Sequence, residues 1–223
     1  LPFVETRSDS KILDKQLGAY QKVKDDLMTY VNDAGSECAI QPEFVAHTID
    51  QKASDDAIFL LDTGMSCVWG ARYINQRRDR IMLGSFNHGS MANAMPMAIG
   101  ASLTHPDREV IAFCGDGGLS MLLGDLATIK QYNLPIKLIV FNNRALGMVK
   151  LEMQVSGLKD QETNMVNPDF AMVARAMGIR AFTVTQPEEV DNVLSEALEL
   201  KNEPVLIDIY TNPNALAMPP KIS

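Results

Sequence analysis

Residues 110–121 read VIAFCGDGGLSM. An apolar run that stops at a cluster of glycines has the pattern of a buried strand entering a turn, with a helix following from Leu119. Glycines at such a turn let the backbone approach a phosphate group, which the Asp116 carboxylate in their midst should repel. The stretch therefore sets a strand–turn–helix unit and leaves a chemical puzzle inside it.

The same unit repeats on both sides. Short apolar runs lie at Ala57–Leu61, Arg80–Leu83, Val110–Cys114, Ile136–Phe141, Ala181–Val184 and Val205–Tyr210. Helical stretches alternate with them at about Met91–Thr104, Leu119–Tyr132, Asp169–Met177 and Glu188–Lys201. Runs that are continuously apolar rather than alternating belong to strands covered on both faces. Strand and helix in turn imply βαβ units with right-handed crossovers. The expected fold is α/β, a doubly wound, mostly parallel six-stranded sheet with helices on both faces.

A helical lead-in precedes it. Ile12, Leu13, Leu17, Tyr20, Val23, Leu27 and Tyr30 recur at helical spacing between Lys11 and Val31. Asp33–Glu37 breaks that helix, and Pro42 opens a second one running to about Gln51. Residues 1–37 are thus read as linker and lead-in helix, with Leu1–Ser10 the linker proper, and residues 38–223 as the α/β domain. A start on Leu1 rather than Met and an abrupt end at Ile222-Ser223 suggest a C-terminal piece of a longer protein.

Composition excludes several functions. The 223 residues carry a formal net charge of −8, with no Lys/Arg cluster to bind a phosphate backbone, so nucleic acid is not an expected partner. Arg77-Arg78-Asp79-Arg80 reads as a solvated turn before a strand. Cys38, Cys67 and Cys114 have no CxxC spacing and read as reduced, mostly packed thiols of a cytoplasmic protein. No apolar run reaches the roughly 20 residues of a membrane span.

In doubly wound sheets ligands bind beyond the carboxyl ends of the strands. Four such ends carry unusual residues: Asp62-Thr63-Gly64, Gly84–Ser90, Gly115–Gly118 and Asn142-Asn143. A dinucleotide fingerprint fails, because Ser120 stands where a third glycine is needed and the next strand ends in Asn142-Asn143 rather than an acid. No G-x-x-x-x-G-K-[ST] loop occurs.

A divalent cation resolves the puzzle, since a carboxylate beside a diphosphate ceases to repel it when Mg²⁺ lies between them. Asn143, 27 positions beyond Asp116 and one helix and one strand later, supplies a second hard oxygen without a further charge. Taken singly, Asp116 could cap a helix and Asn142-Asn143 could make a turn. Their joint occurrence on adjacent βα units favours the metal.

Gly115-Asp116-Gly117 followed by Asn142-Asn143 resembles the GDG…NN signature of thiamine-diphosphate enzymes, in particular their diphosphate-binding (PP) domain. The resemblance implies Mg²⁺ held by the side chains of Asp116 and Asn143 and by the carbonyl of Ala145. It implies cofactor contacts at Gly64, Gly89, Ser90, Met91, Gly115, Gly117 and Gly118, and along the loop Asn143, Ala145, Leu146, Gly147, Met148 and Val149. Met91 occupies the position of the apolar residue that props the cofactor into a bent conformation, and Gly89 would meet the aminopyrimidine edge.

Gly84–Ala101, GSFNHGSMANAMPMAIGA, is similar to the pyruvate oxidase branch, as are AIFLLDTG at 57–64, VWGARY at 68–73 and ALAMPP at 215–220. That branch implies decarboxylation of a small 2-oxo acid such as pyruvate and oxidation through FAD to acetate or acetyl phosphate. It also implies PYR and flavin domains upstream of this chain, with the catalytic glutamate coming from the PYR domain of a neighbouring subunit in a homo-oligomer, a tetramer at full length. Membrane contact would be peripheral, through a C-terminal tail beyond this chain.

The remaining residues read as scaffold. His88 is a hydrogen-bonded turn residue, His47 and His105 are surface helix residues, and Trp69 packs near a helix start without a chemical role. Arg144–Asn167 is long for a βα connection; its first part should wall the substrate pocket and the remainder form a loop or short helix. Two rival functions stand beside the leading one: an acetolactate synthase or other 2-oxo-acid decarboxylase, and a non-catalytic nucleotide-binding module.

Overall fold

The computed structural model describes residues 9–216. Most of the Leu1–Ser10 linker, most of the ALAMPP stretch and Ile222-Ser223 lie outside the described residues. The chain enters through α1 (Lys11–Val31) and a two-residue-strand hairpin, β1 (Gly35–Ser36) and β2 (Ala39–Ile40). It continues through α2 (Pro42–Lys52), β3 (Ile58–Leu61), α3 (Met65–Tyr73), β4 (Ile81–Gly84), α4 (Ala94–Thr104) and β5 (Val110–Gly115). Next come α5 (Asp116–Met121), a 3₁₀ turn at Leu123–Asp125, α6 (Leu126–Gln131), β6 (Ile136–Asn142) and α7 (Gly147–Val155). The last elements are α8 (Phe170–Ala176), β7 (Arg180–Val184), α9 (Val190–Glu199) and β8 (Val205–Tyr210).

Six strands form one sheet in the order β4-β3-β5-β6-β8-β7, and every neighbouring pair is parallel. The four inner strands are buried almost throughout, whereas the edge strands β4 and β7 are partly exposed. Side chains alternate between two apolar layers. Phe59, Leu61, Ile111, Phe113, Ile139, Phe141 and Ile207 pack with Val45, Ile49, Trp69, Tyr73, Leu194 and Leu198 of α2, α3 and α9. Ile58, Leu60, Ala112, Cys114, Leu138, Val140 and Leu206 pack with Ala98, Leu126, Ile129 and Phe170 of α4, α6 and α8. The doubly wound reading holds, with strands at the expected places to within a residue or two.

The helices required more correction. The residue pattern sets Trp69 near a helix start but gives no helical stretch over MSCVWGARY, which carries Gly70 mid-run and a β-branched Val68, both poor for helix; the structure has α3 there, with Trp69 in its middle. Packing sustains it: Trp69 and Tyr73 are buried, and a Cβ at Gly70 would lie 2.6 Å from a Leu61 methyl. The helix expected from Met91 begins at Ala94, and the one expected over Leu119–Tyr132 divides around Leu122–Asp125. The Arg144–Asn167 segment contains the nine-residue α7. In α1, Ile12, Leu13, Leu17, Tyr20 and Val23 are all exposed, and only Leu27 and Val31 join the core.

Arg80 overturns the solvated-turn expectation. Its side chain is fully buried, with Nη1 donating to Asp50 Oδ1 at 2.7 Å, Nη2 to the Ala53 carbonyl at 2.6 Å and Nε to the Ser54 carbonyl at 2.8 Å. Asp50 also accepts from the Asn75 amide and from Arg77 Nη2, both at 2.8 Å, so one buried carboxylate ties the end of α2 to the α3–β4 connection. Hydropathy cannot read such a pair, because burial of an arginine depends on a partner 30 residues away. Removing one partner of a buried ion pair strands the other, so Asp50→Ala should destabilise the fold by about 3–5 kcal/mol in urea unfolding. Arg80→Lys should fail to restore stability, because one ammonium cannot reproduce the guanidinium fork.

Candidate functional site

Because all strands of the sheet run parallel, every β→α turn leaves from the same edge. Four of those turns, following β3, β4, β5 and β6, surround a cavity of about 230 Å³. Its lining takes in Gly64, Gly89, Met91, Gly115, Asp116, Gly117, Gly118, Asn143, Ala145, Leu146, Gly147, Met148 and Val149. Ser90 is the one anticipated residue that does not line it; it is exposed, and its carbonyl accepts from Asn93 Nδ2 at 2.7 Å. His88 and His105 are exposed and away from the lining. His47 is half-buried rather than a surface residue, and burial pushes its pKa down.

Sequence reasoning missed Glu152, on the second turn of α7, the one ionisable lining residue besides Asp116 among the described residues. A glutamate on an apolar-periodic helix looks like an ordinary solvated position; Glu152 is exposed, and only the place of α7 beside the sheet edge brings it into the cavity lining. Trp69, Thr211 and Asn212 also line the cavity, the last two from the end of β8.

Asp116 is 3% exposed. Its Oδ1 accepts from the Gly117 amide at 2.9 Å and its Oδ2 from Asn167 Nδ2 at 2.7 Å. Burial pushes its pKa up, against the pull of those donors. Asn143 Oδ1 accepts from the Ala145 amide at 3.0 Å, which draws the turn tight. Arg144 between them sits at φ 53°, a costly conformation for a non-glycine residue, with its guanidinium 4.7 Å from the Tyr210 ring centroid.

A carboxylate, an amide oxygen and a backbone carbonyl are hard donors carrying one negative charge together, which suits Mg²⁺ completed by phosphate oxygens and not a thiophilic metal. Among the described residues no three His, Cys, Asp or Glu side chains group as metal ligands. The donor set and the glycine cradle therefore fit a Mg²⁺–diphosphate group. The first-turn amides of α7, at Gly147, Met148 and Val149, add donors that no intrahelical carbonyl uses.

A second buried carboxylate organises the opposite wall. Asp62, 1% exposed at the end of β3, accepts through Oδ1 from the Asn93 amide at 3.0 Å, Asn93 Nδ2 at 3.2 Å and the Thr63 amide at 3.2 Å. It thereby anchors the loop that carries Met91, where Ala92 adopts φ 63°. A Cβ on Gly118 would fall 1.8 Å from Asp62 Oδ2, so this glycine is required by a carboxylate behind the turn. A Cβ on Gly117 would lie 2.9 Å from Leu146 and 3.4 Å from both the Met91 methyl and the Met165 sulfur, so three other segments close on one glycine. Gly64, at φ 132°, turns the chain from β3 into α3 where no other residue sits comfortably.

Comparison with known proteins gives the family. The family described as "Thiamine pyrophosphate enzyme, C-terminal TPP binding domain" matches residues 62–209. The chain belongs to that family. It is 37% identical over 184 residues to YdaP of Bacillus subtilis, whose name describes a thiamine pyrophosphate-containing protein; the match covers 82% of this chain and 32% of YdaP. It is 36% identical over 179 residues to a Methanocaldococcus jannaschii protein named as an acetolactate synthase large subunit, covering 79% of this chain and 30% of that protein. The acetolactate synthase large subunit of Corynebacterium glutamicum is 33% identical over 186 residues, covering 81% and 30%. The chain thus spans about a third of the length of the curated relatives it matches. No helix among the described residues is long and apolar enough to cross a membrane.

Two measurements probe this geometry. Gly118→Ala should lower the thermal midpoint markedly, while Gly100→Ala, where a Cβ meets nothing within 4 Å in mid-helix, should be neutral or slightly stabilising. Burial pushes the Asp62 carboxyl up from 3.8 to about 6. The folded state therefore holds this proton more tightly than the unfolded one. Stability relative to Asp62→Asn should fall as pH rises from about 4 to about 6 and stay level above. A flat difference in urea unfolding across that window would contradict the assignment.

Proposed function

We propose that this chain is the Mg²⁺–thiamine-diphosphate-binding domain of an enzyme acting on a small 2-oxo acid such as pyruvate. One observation carries the reading: Asp116 and Asn143, from neighbouring strand ends, line the same cavity as Met91 from a third. Asp116, Asn143 and the Ala145 carbonyl would hold the metal. Gly115, Gly117, Gly118 and the Gly147–Val149 amides would hold the diphosphate, with Gly64 and Leu146 completing the wall. Met91, polarizable and adaptable, would seat the bent cofactor, and Gly89 its aminopyrimidine edge. Bound there, thiamine diphosphate would supply a carbanion nucleophile for the keto carbon of a 2-oxo acid and an electron sink for loss of its carboxylate as CO2. This chain's part is to position that group and keep its surroundings dry.

The relatives favour an acetolactate synthase type of reaction, in which the two-carbon unit is joined to a second 2-oxo acid. A pyruvate oxidase type, passing electrons through FAD, is the second reading; Gly89-Ser90-Met91-Ala92 favours it, standing where acetolactate synthases carry a Gly-Ala-Met-Gly-like stretch. In both readings the domain, residues 38–223, works with a PYR domain of a neighbouring subunit in a cytoplasmic homo-oligomer, a tetramer at full length, and with a flavin domain elsewhere in the protein. Met91 and Val149 line the cavity yet stay 37% and 42% exposed, apolar surface suited to being covered by such a partner.

Calorimetry on the full-length protein should show Mg²⁺-dependent binding of thiamine diphosphate, abolished in Asp116→Ala and in Asn143→Ala. Binding of NAD or ATP in its place would instead support a nucleotide-binding module. Product analysis with pyruvate then separates the two enzymes: acetolactate for the first reading, acetate or acetyl phosphate with electron transfer for the second.

A further inference from the structure

The first asparagine of the Asn142-Asn143 pair has no part in the site as proposed, and neither has Asn167, which lies in a loop without a motif. The structure joins them. Asn142, 1% exposed at the end of β6, donates from Nδ2 to Oδ1 of the fully buried Asp208 of β8 at 2.9 Å. Asn142 Oδ1 accepts from Asn167 Nδ2 at 2.9 Å, and the same Nδ2 donates to Asp116 Oδ2 at 2.7 Å. Ionised carboxylates at both ends can only accept, so each amide between them has one workable orientation. Flipping either would set oxygen against oxygen.

The segment carrying Asn167 also grips the turn around Ala145. The Leu146 amide donates to the Thr163 carbonyl at 2.8 Å, the Met165 amide donates to the Arg144 carbonyl at 2.8 Å, and Ala145 bridges to Asn164. Residues 163–165 therefore hold the carbonyl-bearing turn with their backbone, and Asn167 holds the Asp116 carboxylate with its side chain. Asn167 Oδ1 is buried with no hydrogen-bond partner among the described residues, an arrangement that costs free energy. What this residue contributes is its amide donors.

We propose that Asn167 is a positioning residue of the divalent-metal site, fixing the Asp116 carboxylate in the orientation that presents its free lone pairs to the ion, with Asn142 and Asp208 steadying it from behind. The inference rests on the reading given under Proposed function. Without Asn167, Asp116 loses a donor and its rotamer is released, so metal binding must supply the ordering. Partners that orient a metal ligand are typically worth at least about tenfold in metal affinity.

The test uses Mn²⁺ as probe on the full-length protein with saturating thiamine diphosphate, counting free Mn²⁺ by electron paramagnetic resonance. Asn167→Ala should raise the Mn²⁺ dissociation constant about tenfold while reaching wild-type occupancy at saturating Mn²⁺. Asn142→Ala should raise it less, and Asn167→Ser, which keeps a hydroxyl donor, should recover part of the loss. Val166→Ala, at the fully exposed neighbouring position, should leave it unchanged. A wild-type dissociation constant in Asn167→Ala overturns the proposal, as does an occupancy that falls equally at every Mn²⁺ concentration, the mark of a purely structural role. A wild-type protein that binds no Mn²⁺ with thiamine diphosphate present would instead overturn the reading on which the proposal rests.

Discussion

The parallel register of β3, β5 and β6 is the constraint on which the rest depends. Leu61 lies beside Phe113, and Gly115 beside Phe141, so the three chains leave the sheet at nearly one level. Their turns are forced together at a single edge, and the residues that follow the strands must share one small space. An antiparallel pairing of the same runs would have sent half of these turns to the opposite edge. The Phe59–Phe113 and Phe113–Phe141 edge-to-face contacts, at 6.0 and 5.1 Å, lock those three strands just beneath the site.

Crowding at that edge explains why its polar groups are linked rather than solvated. Asp62, Asp116 and Asp208 are all buried, and burial pushes each of their pKa values up, Asp62 and Asp208 to about 6. Each is restrained by an amide donor from elsewhere in the chain: Asn93 from the loop before α4 for Asp62, Asn167 from the loop before α8 for Asp116, and Asn142 from the end of β6 for Asp208. Asp62 and Asp116 thus serve as junctions between loops that have no continuous secondary structure of their own. A divalent cation held at Asp116, as proposed, would add positive charge where the protein has concentrated negative charge, and would give an electrostatic sense to an aspartate inside a glycine-rich turn.

Much of this was legible from residue pattern. The six strands, the flanking helices and the pairing of Asp116 with Asn143 follow from continuous apolar runs and from oxygen donors one βα unit apart. The parts that were not legible share a cause. α3 contains a glycine and a β-branched residue that argue locally against helix, and close packing on Leu61 outweighs them. Arg80 sits in a run of charges, and its burial depends on Asp50. Glu152 and Asn167 carry no motif, and the elements that aim them, α7 and the loop after it, lie within a segment whose length gave no hint of how it folds back.

The sequence alone determined the class of sheet, the edge at which the cavity lies, and the oxygen-bearing and glycine residues that line it, because these are written in local hydrophobicity and in spacing along the chain. Only the tertiary structure decided that Gly118 answers to the Asp62 carboxylate behind it, that Glu152 joins the cavity lining while Ser90 does not, and that Asn142 and Asn167 stand behind Asp116. Those facts concern side chains far apart in sequence that meet at distances of a few ångströms. Contacts of that kind arise from the packing of whole elements, which no local pattern encodes.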